Sequence, residues 1–316
     1  MIHCEAIFLQ IIASSEVRMD GMKFDLDIFL KPSDKWDRAY LKAVAAAIRQ
    51  YQPDNAEKII QQYLGEEHQA ELNLTNTYAR RIFRRALLTA ARSMEVNLSR
   101  KDLIVTWASI APRDWACCDR DIDFNYDIAK QKIRNAFAGK DFIGVIEPGY
   151  YPHERWKRGD TVGSLISFHA HILVWDTSRS KLQRHQQDIR RRFRPVMEGD
   201  HKTARLYHVK TLGDLWRVLR YSTKMPFQGY DREVREDDSI VQRHLELAPI
   251  HHYRLFRFLR KYTVWDAWLA GGEGAQLLRN VRKAVRKVLQ GIEVFRPGGA
   301  PRRRIKAQPG QANAQH

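Results

Sequence analysis

The sequence predicts an α+β fold with an antiparallel sheet at its centre and helical additions at both ends, and three observations carry the prediction. Over residues 99–228 the hydrophobic pattern switches repeatedly between the strand period and the helix period. Within that span Ile166-Ser167-Phe168-His169-Ala170-His171-Ile172-Leu173-Val174-Trp175 reads as a buried strand. On either side, residues 34–98 and 229–295 keep helical spacing. A chain of 316 residues that is 44% hydrophobic has ample material for a core.

Residues 1–33 mix short apolar pieces with Gly21 and Pro32 and predict no element. Ser33-Asp34 reads as an N-cap, followed by Trp36, Tyr40, Leu41, Val44 and Ile48 at helical spacing. Pro53-Asp54 opens a second helix with Ile59, Ile60 and Leu64. A third helix, from about Thr75 to Met94, sets Tyr78, Ile82, Phe83, Leu87 and Ala90 against a run of arginines. Arg80, Arg84 and Arg85 fall largely off the apolar stripe, which makes them candidate contacts to nucleic-acid phosphates.

From Leu103 the β-rich run to Ser109 is the first strand, bounded by Pro112, and Phe124 to Phe137 has helical period. Phe142 to Glu147 is the second strand, stopped by Pro148-Gly149, and a polar, aromatic hairpin loop leads to the histidine strand. A basic helix from about Ser178 to Phe193, a strand over Ala204 to Val209 and a helix over Leu212 to Lys224 follow, with Met225-Pro226 closing the last. Pairing the first strand with the third, helices on one face, is the ferredoxin-like solution, and it makes the histidine strand central. Beyond it, Tyr230 to Asp238 is charged and loop-like, and His252–Trp268 and Ala275–Gln290 are amphipathic helices separated by Gly271-Gly272. Residues 296–316, with Arg302, Arg303 and Arg304, have the composition of a disordered basic tail.

Lys and Arg number 54 against 37 acidic residues, a formal net charge of +17, and such an excess favours a polyanionic partner, with nucleic acid the leading candidate. No apolar run approaches the roughly 20 residues that span a bilayer, and the first residues lack the basic start and cleavage site of a secretory signal. A cytoplasmic protein with no membrane partner is the expectation. Cys4, Cys117 and Cys118 make neither a disulfide framework nor a zinc spacing; Cys117 and Cys118 are expected to pack as small apolar groups.

Strand side chains alternate, so His169 and His171 share one face with Ser167 and Leu173, and two imidazoles so placed can hold one divalent ion. Glu147 is the candidate third ligand, because a hairpin joining its strand to the histidine strand permits all three on one face. His153 is its competitor. On the downstream helix, at about 100° per residue, Asp214, Arg217, Tyr221 and Lys224 fall on one face, opposite Leu212, Leu215, Trp216 and Leu219. Tyr221 is therefore expected to be exposed. Asp214 reads as a first-turn charge complementing the helix dipole.

A His-hydrophobe-His strand followed by a Tyr-x-x-Lys helix resembles the HUH endonucleases, in particular the single-tyrosine rolling-circle replication initiators. The resemblance covers about Leu103 to Lys224, with Leu103 to Ala111 similar to the family's first, structural motif. It implies an HUH fold, a Mg²⁺ or Mn²⁺ cofactor on His169, His171 and Glu147, Tyr221 as nucleophile and Lys224 as its catalytic cation. The implied substrate is a single-stranded or hairpin origin DNA, nicked and rejoined through a 5′-phosphotyrosine. Arg217 is a candidate DNA contact, and a host helicase or polymerase is a candidate partner. One departure concerns termination: some initiators carry a glutamate one turn before the tyrosine, where this chain has Arg217. A single-tyrosine HUH transposase, or a non-catalytic ferredoxin-like single-strand-binding protein using Phe168 and Trp107, is the alternative reading.

Overall fold

The computed structural model describes residues 26–94, 104–196, 204–225, 228–234 and 240–290. The expectations for residues 1–25, and for the basic tail with Arg302–Arg304, lie outside the described residues, as does Cys4.

The class is α+β. Eight strands form one mixed sheet: β1 (Ile104–Ile110), β2 (Ala116–Cys118), β3 (Asp141–Arg158), β4 (Thr161–Thr177), β5 (Ala204–Val209), β6 (Gln228–Val234), β7 (Ile240–Glu246) and β8 (Trp268–Gly271). Their order is β5-β1-β4-β3-β6-β7, with β2 also pairing β4 and β8 also pairing β3. The histidine strand β4 is central: β1 and β3 flank it through antiparallel ladders, and β5 pairs antiparallel with β1 beyond.

The β3–β4 hairpin is longer than the sequence pattern implies. Pro148-Gly149 does not stop β3, because the outer edge of β3 at Pro148 lies between its neighbours: β8 covers Phe142–Val145 and β6 joins at Tyr150. A missing N–H there interrupts neither ladder. The supposed loop is paired strand as far as Arg158 and Thr161, with an irregularity between Tyr151 and Arg155 and a two-residue turn in which Gly159 takes φ +55°. Likewise Tyr230 belongs not to a loop but to β6, which pairs with β7 from Gln228↔Glu246 to Val234↔Ile240. Its many charges are those of a strand near the sheet edge, where period and polarity resemble a loop.

The helices are α1 (Leu26–Tyr51), α2 (Ala56–Leu64), α3 (Thr77–Ala90), α4 (Tyr126–Ala136), α5 (Arg179–Arg192), α6 (Leu212–Ser222), α7 (Pro249–Leu259), α8 (Val264–Ala267) and α9 (Glu273–Leu289). α1 begins before Ser33-Asp34 and runs through Pro32, so Ser33 is a buried helical residue and not a cap. Leu30, buried in the main core, anchors the turn that the proline weakens. His252 to Trp268 is not one helix: α7 ends at Leu259, α8 is short, and Trp268–Gly271 is the strand β8, paired with β3.

Register separates the two faces of the sheet. Trp107, Leu173, Ile143 and Val145 share the histidine face, and α3 covers it through Phe83 against Trp268, with ring centroids 4.8 Å apart. On the other face Phe168 stacks on Phe124 at 3.8 Å, and Phe142 meets Phe137 from the end of α4. Helical residues Phe83, Leu87, Leu255, Leu277 and Val281 belong to the same buried cluster as the strands.

At the β8–α9 junction Gly272 holds φ +55°, and a Cβ there would lie 1.9 Å from the Asp141 Oδ1 that accepts the Glu273 N–H. Gly272→Ala is expected to cost on the order of 1–3 kcal/mol, read as a lower denaturant midpoint; an unchanged midpoint would show that the junction relaxes freely.

Candidate active site

The β3–β4 register places Glu147 directly opposite His169, and Val145 opposite His171. All three candidate ligands therefore leave the sheet on one face, as a hairpin between these strands permits. One ligand atom from each lies within 4.8 Å of the others. Nε2 of His169 and Nε2 of His171 both stand 3.3 Å from Oε1 of Glu147, and Lys224 Nζ stands 3.2 Å from the same oxygen. His153 is elsewhere: its ring is exposed and pairs with Asp231 at 3.3 Å.

These residues fit a divalent cation on three observations. First, Oε1 of Glu147 and both ring nitrogens of His171 are buried without an aligned hydrogen-bond partner, despite the 3.3 Å approach. Buried polar atoms rarely go unpartnered unless an ion or water is meant to meet them. Second, Nδ1 of His169 lies 3.2 Å from the Ser167 carbonyl. If that nitrogen carries the ring proton, Nε2 presents a lone pair towards the carboxylate, and two acceptors facing one another call for a cation between them. Third, a spacing of 3.3 Å suits two atoms sharing one ion at about 2.1 Å.

The electrostatics agree. Burial alone would raise the Glu147 carboxyl, but the Lys224 ammonium and the two imidazoles outweigh it and hold the group well below the usual carboxylate range. Burial, with His169 and Lys224 nearby, pushes His171 down to about 4 although Glu147 pulls the other way, so it is a neutral imidazole at pH 7. Trp107 orients that ring by stacking on it, with centroids 4.9 Å apart and planes 15° apart.

Tyr221 closes the site from α6. It is half-buried, not exposed: its ring stands edge-on to His171 at 5.5 Å and to Trp107 at 6.5 Å. The helical projection puts it opposite the core stripe; the sheet supplies a second buried surface on that side. Lys224 is not in the helix, which ends at Ser222, but in the turn after it, where its Nζ lies 3.6 Å from the centroid of the Tyr221 ring. It also donates to Tyr230 Oη at 3.5 Å, a neighbour that a loop at Tyr230 would not supply.

Arg80 and Arg84 are not surface phosphate contacts. Arg80 is buried, donating from Nε to the Leu74 carbonyl at 2.8 Å and from Nη1 to the Lys224 carbonyl at 2.6 Å. Arg84, with a side chain only 1% exposed, makes a two-pronged ion pair with Asp37 at 3.0 and 3.1 Å and bonds the hydroxyl and carbonyl of Thr223. Off the apolar stripe of α3 lies another part of the protein, not solvent: α1 and the end of α6 cover these arginines. Their work is to fix the backbone of Thr223–Lys224 and thereby the ammonium. Arg85 is half-buried on the same helix. Arg217 is half-buried too, 3.5 Å from Asp214, while Asp214 completes a capping box with Thr211. Cys117 and Cys118 are buried free thiols.

Arg84→Ala leaves the Asp37 carboxylate, 0% exposed, without its partner and is expected to cost about 3–5 kcal/mol of stability, read from urea unfolding. A variant of wild-type stability whose nucleic-acid binding has lost salt dependence would restore the phosphate-contact role. A second expectation concerns acid, for metal-free protein in chelator. His171 and His252, both about 4 in the fold against an ordinary 6.5, are protonated more readily in the unfolded chain. Their contribution is complete above the ordinary value and is lost as pH falls towards 4, so the urea midpoint should drop between pH 7 and 5. A midpoint that rises over this window would contradict neutral, buried rings. The chain matches no family model, no curated protein and no solved structure.

Proposed function

We propose that the chain is a metal-dependent DNA nickase and strand-joining enzyme of the HUH type, initiating rolling-circle replication of a plasmid or other mobile element. The observation that carries this reading is the convergence of Glu147, His169, His171, Lys224 and Tyr221 on one face of the sheet, from β3, β4, the end of α6 and the turn after it. The order β5-β1-β4-β3, with antiparallel pairing throughout, supports a ferredoxin-like core for it.

His169, His171 and Glu147 would hold Mg²⁺ or Mn²⁺, which when bound supplies Lewis-acid polarisation of a phosphate oxygen. The paired imidazoles favour Mn²⁺ of the two. Tyr221 is the nucleophile: its oxygen bonds to phosphorus as the bond to the 3′-oxygen breaks, giving a 5′-phosphotyrosine and a free 3′-hydroxyl. The phenol loses a proton and the departing oxygen gains one. Because one phosphate ester replaces another, the 3′-hydroxyl can attack the tyrosyl ester and restore the strand without ATP. A phenol near pKa 10 is mostly protonated at neutral pH, and Lys224, 3.6 Å above the ring, favours the phenolate and the charge that develops on phosphate.

A sheet that binds single strands by stacking offers exposed aromatics. Phe168 is wholly buried under Phe124, and Trp107 is buried against His171, so the two rings that would carry a binding-only reading are already in use.

The decisive experiment uses labelled single-stranded DNA, Mn²⁺ and a denaturing gel. Tyr221→Phe is expected to abolish both cleavage and the protein–DNA adduct while preserving fold and metal binding; Lys224→Ala should slow cleavage without eliminating it. His169→Ala and Glu147→Gln should weaken Mn²⁺ binding by about 10-fold or more and remove cleavage with it. An adduct that survives in Tyr221→Phe would move the nucleophile elsewhere, and a wild-type protein that forms no adduct across a library of single-stranded sequences would overturn the enzyme reading.

A further inference from the structure

On the face of the sheet turned away from the histidines, α7 and the segment after β2 line a pocket of about 470 Å³. Register gives its side: Tyr150 pairs with Ile166, so both side chains leave the sheet opposite to Glu147 and His169. Phe258, in the pocket wall, packs on Phe168 on that same side with centroids 5.5 Å apart. The pocket and the candidate active site therefore share no wall.

The lining is cationic, and two of its guanidiniums lie over aromatic rings. Arg120, Arg257, Arg260 and Lys261 contribute to it, and of these Arg120, Arg257 and Lys261 are exposed. The Arg257 guanidinium lies 5.8 Å from the Tyr253 ring, and that of Arg260 lies 5.4 Å from Tyr63 and 5.8 Å from Phe256. Aromatic stacking orients a guanidinium without neutralising it and leaves its N–H edge for an anion. Of the two acids in the lining, Asp119 is spent inside the wall. Its carboxylate, 0% exposed, accepts from Tyr150 Oη, from Arg254 and from the Ser164 N–H. Arg254 and Asp119 thus cancel, which leaves Asp121 against four positive side chains.

We infer that this pocket is a second nucleic-acid contact, binding backbone phosphate on the side of the sheet remote from Tyr221. Planar guanidinium edges match phosphate oxygens two to two, the volume lies in the range of ligand sites, and the chain's net charge of +17 favours a polyanion. That the phosphate belongs to nucleic acid rests on the proposed function; that the pocket takes phosphate does not. A strand held here as well as at the tyrosine is gripped at two points, which keeps a nicked end from diffusing away.

The experiment uses the full chain and a fluorescent single-stranded oligonucleotide, with anisotropy followed against salt in the absence of metal. Arg120→Ala/Lys261→Ala and the triple variant that adds Arg257→Ala are compared with a control lacking Lys283, Arg286 and Lys287, exposed on α9. The double variant keeps the Arg257–Tyr253 stacking, and its melting curve reports the fold. The expected result is a salt slope shallower by roughly 0.7 for each phosphate no longer neutralised, with a larger change in the pocket variants than in the control. Equal slopes in wild type and pocket variants, or equal changes in pocket and control variants, overturn the inference. Pyrophosphate titration separates the sources: a variant that no longer binds pyrophosphate but keeps its oligonucleotide slope marks a site for small phosphorylated molecules, which also overturns it. Adduct formation through Tyr221 is scored separately, so a pocket that binds DNA in a protein that never nicks fails the enzyme reading alone.

Discussion

A carboxylate at the middle of a central strand is the constraint around which this molecule is arranged. Glu147 is 5% exposed, and an ionised carboxylate in such surroundings is costly unless other charges and dipoles replace its water. The Lys224 ammonium, 3.2 Å from Oε1, supplies part of that replacement, and His169 and His171 stand 3.3 Å from the same oxygen, where a cation would be shared with it. The imidazoles come from β4, where the hairpin register sets His169 opposite Glu147 and His171 opposite Val145. The ammonium comes from a turn that has no regular structure of its own to hold it.

That turn explains much of the helical framework. Arg80 binds the Lys224 carbonyl, Arg84 binds both polar groups of Thr223, and Asp37 on α1 holds Arg84. Met225, the next residue, is buried with Tyr40, Val44, Ile48 and Phe256. Three helices, α1, α3 and α7, thus converge on Thr223–Met225. A loop held by buried guanidinium bonds fixes the position of an ammonium in a way that a solvated loop does not. The desolvation cost of the Arg84–Asp37 pair is offset by the bidentate geometry and by the extra bonds to Thr223.

The two faces of the sheet divide the labour. The histidine face carries the cluster that could hold a metal ion, the tyrosine and the lysine, under the cover of α3 and α6. The opposite face carries an aromatic cluster in which Phe124 stacks on Phe168 and Phe258 meets Phe168 edge-on, and beyond it the cationic pocket. Phe168 and His169, adjacent in sequence, serve these different ends because a strand sends them to different sides.

Legible in the order of residues were the α+β class, the histidine strand as a central strand, the shared face of His169 and His171, and the buried stripe of α6. The shared face and the stripe follow from periods of 2 and 3.6, which the order of residues displays directly, and the central place of the histidine strand from pairing the first strand with the third. The juxtaposition of Glu147 with His169 was permitted by the pattern and decided by register, which a loop of unknown pairing leaves open. Proline and charge misled where they met the sheet: Pro148 lies in a strand whose outer edge is between partners, and β6 carries charges suited to a strand near the sheet edge. The arginines of α3 misled for a related reason. A helical projection separates apolar from polar faces, but it cannot distinguish a polar face turned to water from one turned to Asp37 and the backbone of Thr223. Only tertiary packing makes that distinction, because the partners of a buried guanidinium lie 47 and 139 residues away in the chain.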